Sequence, residues 1–215
     1  MSLLTNWGYT LTDVTVMPDL VPEDEFQART AGKYNNDTRV TSVLSAAQAA
    51  VRNFVGWHLG NSQNCEAEFN SISPAAVYVG SDIMITLPTK YLSDVSSVIV
   101  NAVKVDGEWT GTVWSDFVFG VNGVLRLFGV GALDRRAKII VQYTAGLPEE
   151  LLWSISEVCI SMAVRGLNQS NGIQSETAGG VSITYNSTYA NSAKAFSLTE
   201  ADRDALMPYK LQGVY

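Results

Sequence analysis

The stretch Val51–Ile72, VRNFVGWHLGNSQNCEAEFNSI, contains the change of period that decides the fold. Its first residues complete a helical pattern in which Val40, Val43, Leu44, Ala47, Val51, Phe54 and Val55 share one stripe at three- and four-residue spacing. That is the repeat of a helix burying one face. Asp37 or Thr38 stands at the N-cap position, Gly56 and the GWHLG run end the helix, and the small residues of SAAQAA in its middle admit a close neighbour. From Cys65 to about Ala145 the period is two. The runs EAEFNSI, AAVYVG, DIMITLP, VSSVIVNAVKVDG, WSDFVFGVNGVLRLFG and AKIIVQYTAG alternate and are divided by Gly, Pro, Asn and Asp, so roughly six short antiparallel strands are expected. In GVNGV, Asn122–Gly123 suits a tight hairpin turn with positive backbone angles.

On either side of this β block the helical period holds. MPDLVPEDEFQARTAGKY reads as a short helix with Pro22 at its first position, Glu23, Asp24 and Glu25 complementing the dipole, and Gly32 as a stop. The residues before it carry weak periodicity and are expected to form an irregular arm. After the block, Pro148, Glu149 and Glu150 open a helix whose buried stripe is Leu152, Ile155, Val158, Cys159 and Met162. Near the end, Thr199 and Asp202 have capping-box spacing, Leu198 is a staple and Pro208 closes a helix of about two turns. The expected fold class is α+β. A helical domain of three to four helices (residues 1–60 and 147–215) is interrupted by a small antiparallel β module (61–146), with a short C-terminal strand or arm and a tail.

One strand stands apart. In ETAGGVSITYNSTYA, Val181, Ile183 and Tyr185 alternate with Ser182, Thr184 and Asn186 after a Gly pair. It either adds to a strand outside its own helical domain, in the β module or on another copy, or folds back as a hairpin arm.

Composition narrows the function classes. Fourteen Lys and Arg against 21 Asp and Glu give a net charge of −7, with no basic run, which argues against affinity gained by neutralising phosphates. Cys65 and Cys159 are far apart and lack metal spacing, so two reduced, buried thiols are expected. No apolar run approaches the roughly 18 residues of a membrane span, and MSLLTNWGYTLTDV lacks the features of a signal peptide. The sequons at Asn36, Asn168 and Asn186 are read as chance matches.

Catalytic patterns are wanting. His58 is the single histidine and is read as a helix-end residue facing free carbonyls. Neither a nucleophile elbow nor a phosphate loop occurs, and GVGALD at Gly129 is followed by RR instead of opening a helix. Glu149 and Glu150 are dipole partners before they are an acid–base pair. Trp109, Trp114, Phe117 and Phe119 are read as core and cross-strand residues; the competing reading is a platform for bases or sugars. No metal, cofactor or catalytic residue is expected, and the chain is read as not an enzyme.

The order of these features resembles the head-to-tail connector, or adaptor, proteins of tailed bacteriophages, of the long type with a β domain inserted in a helical one. The resemblance runs from about Met17 to the end. It lies in an amphipathic helix ending in GW, an LP strand, YTAGLPEEL, SETAGGVSITY and a terminal PYKL. It implies a virion protein of the neck, assembled in the host cytoplasm. As a ring homo-oligomer, dodecameric in the virion, it would dock beneath the portal protein, extend the DNA channel and receive stopper or tail-completion proteins. DNA would pass without sequence-specific binding, and no membrane is involved. On this reading Val181, Ile183 and Tyr185 are subunit contacts, and Tyr209, Lys210, Leu211, Val214 and Tyr215 dock on the portal or a neighbour. The alternatives are a head-completion stopper or tail-completion protein, and then a β-type carbohydrate or nucleic-acid binding module.

Overall fold

The computed structural model describes residues 2–70, 73–131, 133, 137–168 and 197–211, and the backbone of 175–178 and 181–184. The fold is α+β, as expected, with helices and antiparallel sheets. The chain divides into two compact units, one comprising Met1–Pro18, Val55–Leu152 and Tyr209–Tyr215, the other Asp19–Phe54 and Trp153–Pro208.

The first unit is built of β1 (Ser2–Leu4), β2 (Tyr9–Thr12), β3 (Gln63–Asn70), β4 (Ala76–Val79), β5 (Asp82–Thr86), β6 (Leu92–Val105), β7 (Glu108–Val113), β8 (Phe117–Phe119), β9 (Val124–Leu127) and β10 (Lys138–Ala145). They form a six-stranded sheet of order β1-β2-β3-β10-β6-β7 and a four-stranded sheet of order β4-β5-β9-β8, every pairing antiparallel. The inner faces share one core: Cys65, Val98, Val100, Ile139, Val141 and Tyr143 from the larger sheet meet Ile83, Ile85, Leu125 and Leu127 from the smaller. Each of the last four is fully buried, which contributes about 2 kcal/mol per side chain.

Three strands escape the period reading. The opening residues are strands and not an irregular arm: β2 lays Tyr9 and Leu11 into the core and pairs with β3. EWTGTV makes β7, joined to β6 by a two-residue Asp106–Gly107 turn, whereas the run from Trp114 to Gly129 is the hairpin expected of it, β8 pairing with β9. The Asn122–Gly123 turn differs in detail. Gly123 N donates to Gly120 O (3.0 Å) and Gly120 N to Val124 O (2.8 Å), closing a three-residue loop. Among its residues only Gly123 has a positive φ, 83°. A Cβ there would also lie 2.3 Å from Thr89 O, so the loop fits against the backbone of the 87–89 segment only with glycine.

The YTAGLPEEL stretch acquires a physical reason. Gly146 N donates to Tyr91 O (3.0 Å) and Leu147 N to Gly60 O (2.7 Å), and a Cβ on Gly146 would lie 2.4 Å from Ser62 Cα. Backbones approach there too closely for any side chain.

In the second unit, α1 is Glu23–Arg29, α2 Val40–Val55, α3 Glu149–Asn168 and α4 Glu200–Leu206; the last residue of α2 and the first turn of α3 belong to the first unit. Pro22 is the N-cap of α1 and not its first helical residue. Asp37 stands just before α2, its Oδ1 accepting from Arg39 N at 2.9 Å ahead of the first helical residue, Val40. The Arg39 side chain grips the same carboxylate and holds its pKa down to about 2. Arg39 Nη2 also donates to Leu167 O (3.1 Å) at the C-terminal end of α3, where a cation offsets the helix dipole. Gln48, in the middle of the small-residue run, is buried and satisfied: its Oε1 accepts from Leu20 N and Val21 N, and its Nε2 donates to Asp19 Oδ1. The α3 stripe is buried as expected at Ile155, Val158, Cys159 and Met162, while Leu152 is half-buried. Thr199 and Asp202 form the capping box of α4. Both cysteines are free and buried, and burial pushes each thiol up to about 12, which keeps it from acting as a thiolate.

Candidate assembly surfaces

The outer face of the four-stranded sheet carries an exposed apolar row. Because side chains alternate, the register that sends Ile83, Ile85, Leu125 and Leu127 inward sends Met84 and Arg126 outward. Val77 pairs with Met84, Met84 with Arg126 and Arg126 with Val118, so these four make one row across all four strands. Val77 is 55% exposed, Val118 54%, and Val79, on the same face, 48%. Arg126 is anchored: its Nη2 and Nε donate to Asp82 Oδ2 at 2.6 and 3.1 Å, and Asp82 Oδ1 accepts from Gly129 N at 3.0 Å. The Gly129 backbone and then Arg126 hold the Asp82 carboxyl below its ordinary range. Both edges of this sheet, AVYV in β4 and FVF in β8, lack charge. Among the described residues no strand pairs with their outer sides. Edge strands are normally protected by being short or by Lys, Pro or a bulge; of these devices β4 and β8 have only their shortness, four and three residues.

The outer face of the six-stranded sheet is built differently. Glu66 accepts from Trp109 Nε1 (3.0 Å) and Gln142 Nε2 (3.1 Å), Thr144 Oγ1 donates to Asn64 (3.0 Å), and Lys138 pairs with Glu68 (2.6 Å). The strand order places β10 and β6 between Trp109 and Glu66, so the indole lies across this face. Lys104 Nζ and Lys138 Nζ sit 5.0 and 5.4 Å from its ring centroid, within cation–π range. An open recess of about 350 Å³ lies beside it, lined by Glu66, Ile99, Lys104, Glu108, Trp109 and Gln142. The ring considered as a stacking platform is thus partnered by lysines from β6 and β10 that linear order does not place beside it. Trp114 donates to Asp116 O and packs with Phe117 on the core; Phe119 is 39% exposed.

His58 is structural. It is buried, its backbone N donates to Tyr9 Oη at 2.8 Å, and its ring nitrogens face Tyr9 Oη (2.8 Å) and Ala145 O (3.1 Å). The tyrosine hydroxyl therefore donates to Nδ1 and Nε2–H donates to the carbonyl, a tautomer fixed by both partners. The helix-end carbonyls expected as its partners are replaced by β2 and the end of β10. Among the described residues no group of three or more His, Cys, Asp or Glu is placed to hold a metal, and no helix is long and apolar enough to cross a membrane.

The residues expected as contacts separate into three groups. Val181 and Ile183 lie in β12 (Val181–Thr184), which pairs antiparallel with β11 (Ser175–Ala178), Ile183 opposite Glu176. Among the described residues the partner is the preceding segment, which is the hairpin alternative, and no pairing with the β module is present. Tyr209 and Leu211 are buried at 9% exposure. Tyr209 O accepts from Trp57 Nε1 (2.9 Å), its ring lies 6.4 Å from Tyr91, and Leu211 N donates to Val55 O (2.8 Å). In this conformation their own unit takes up the apolar surface expected to be left for a partner. Lys210 between them is half-buried. Tyr185, Val214 and Tyr215 lie outside the described residues.

No family model matches the chain, and no curated protein matches it. Among solved structures it is similar to a chain in the neck of an empty GTA particle computed with C6 symmetry, at TM-score 0.48 and 20% identity over 79% of this chain and 87% of that one. It is also similar to a chain in the neck of a native GTA particle computed with C12 symmetry, at TM-score 0.48 and 19% identity over 79% and 90%. Likeness at this level decides nothing about function.

Proposed function

We propose that this chain is a structural head-to-tail connector subunit of a tailed phage, forming a ring beneath the portal that extends the DNA channel and receives stopper or tail proteins. The observation that carries the reading is the small sheet with an exposed apolar outer face and two uncharged edges. A closed ring needs two different, complementary faces on every subunit, and β4 and β8 are two such edges on opposite sides of one sheet. The order of sequence motifs supports the connector class in particular. Val181 and Ile183, with Tyr185 after them, contribute to the subunit contact through the β11–β12 hairpin, and Lys210, Val214 and Tyr215 belong to the contact with the portal or a neighbour. The acidic balance of the chain suits a channel that must not hold DNA.

Electron microscopy of the purified chain mixed with the portal protein of the same particle tests this. A ring stacked on the portal's narrow end is the expected result. A well-formed portal left bare by a folded chain would favour the stopper or tail-completion alternative.

A further inference from the structure

Trp153 is 62% exposed. It stands in α3 outside the buried stripe of Ile155, Val158, Cys159 and Met162. A lone exposed apolar residue needs no explanation, but this one is held. The Arg29 guanidinium lies 5.0 Å above its ring centroid, and Arg29 is itself fixed by Glu25 at 2.5 Å and Glu157 at 2.7 Å. Two helices thus set the indole against an arginine that is only 21% exposed and whose charge is already matched by two carboxylates. Tryptophan and arginine dominate the energetics of protein contacts, and a side chain ordered before binding loses less entropy on binding.

We propose that Trp153, seated on Arg29, anchors a protein contact whose partner brings an apolar recess edged by Lys or Arg. The sign of the partner follows from charge. Glu25 and Glu157 outnumber Arg29, and α1 adds the exposed Glu23 and Asp24. A phosphate backbone would be repelled, and a second copy of a chain carrying −7 is a poorer match than a basic partner. The inference rests on the connector reading for the proteins to be tested, the portal and the stopper or tail-completion protein of the same particle.

The test is biolayer interferometry of the full chain against each purified protein at low and high salt. Trp153→Ala should weaken binding to one of them roughly 30-fold or more. Glu157→Lys, a change at an exposed position, should weaken it about 3- to 10-fold, and added salt should weaken the wild type in the same direction. Wild-type affinity in both variants, with wild-type binding intact, overturns the anchor and leaves the connector reading standing. Loss in Trp153→Ala without any effect of salt or Glu157→Lys overturns the basic partner. A wild-type chain that binds neither protein removes the connector reading and this inference together.

Discussion

The two sheets of the first unit share one core, yet their outer faces are opposites. Across the six-stranded sheet, Glu66, Gln142, Trp109, Lys138 and Glu68 pair with one another, and Ile140 on that face is fully buried. Across the four-stranded sheet Val77, Met84 and Val118 flank a single anchored Arg126 and stay in solvent. Burial in the core explains neither pattern, since both sheets satisfy it equally on their inner faces. The first face is largely paired within the chain, although Val113 at its β7 edge is 71% exposed; the second leaves its apolar row in solvent.

Substitutions separate the two. Ile140→Ala empties a buried site and should cost about 2–5 kcal/mol in urea unfolding; a cost near zero would mean that the larger sheet's outer face is not packed. Trp109→Ala removes the hydrogen bond to Glu66 and both lysine contacts, and a loss of about 2 kcal/mol is expected. Val77→Lys with Val118→Lys should change stability by less than about 0.5 kcal/mol while abolishing stacking on the portal. A large stability loss from that pair would place those residues in the chain's own packing.

A smaller effect is expected in the helical unit. Burial raises the Asp202 carboxyl, but hydrogen bonds from the Thr199 backbone, Arg165 and the Thr199 side chain outweigh it and hold the pKa below its ordinary value. A depressed folded pKa stabilises above the unfolded value of about 3.9 and loses that contribution as pH falls through the folded one. Asp202→Asn should cost about 1 kcal/mol at neutral pH, and the difference from wild type should shrink as pH drops below about 4. A difference that persists unchanged at the acid end would contradict the role of this carboxylate.

Much of the architecture was legible in the sequence because it is local. The α2 stripe, the Pro148–Glu150 start, the Thr199–Asp202 capping box and the change of period at Cys65 each depend on residues within a few turns of one another. What escaped depends on distant partners. Four residues of β2 are too few to show a period, and Tyr9 is fixed by His58 and β3. Lys104 and Lys138 reach Trp109 only through strand pairing. Tyr209 and Leu211 looked like a free apolar tail because nothing near them in sequence reveals Trp57 and Val55. For the assembly surfaces, alternation shows that Val77 and Met84 face opposite to Ala76 and Ile85, but not which face is covered. Trp153 was within reach: it lies one position off the α3 stripe, and its exposure follows from that offset.

The claim that the four-stranded sheet's outer face is an assembly surface is tested most directly by hydrogen exchange on the chain alone and in the complex with its portal. Slowed exchange is expected in Ala76–Thr86 and Phe117–Leu127 on assembly, with Gln63–Asn70 and Lys138–Ala145 unchanged. Unchanged exchange in β4, β5, β8 and β9 within a complete ring would contradict it.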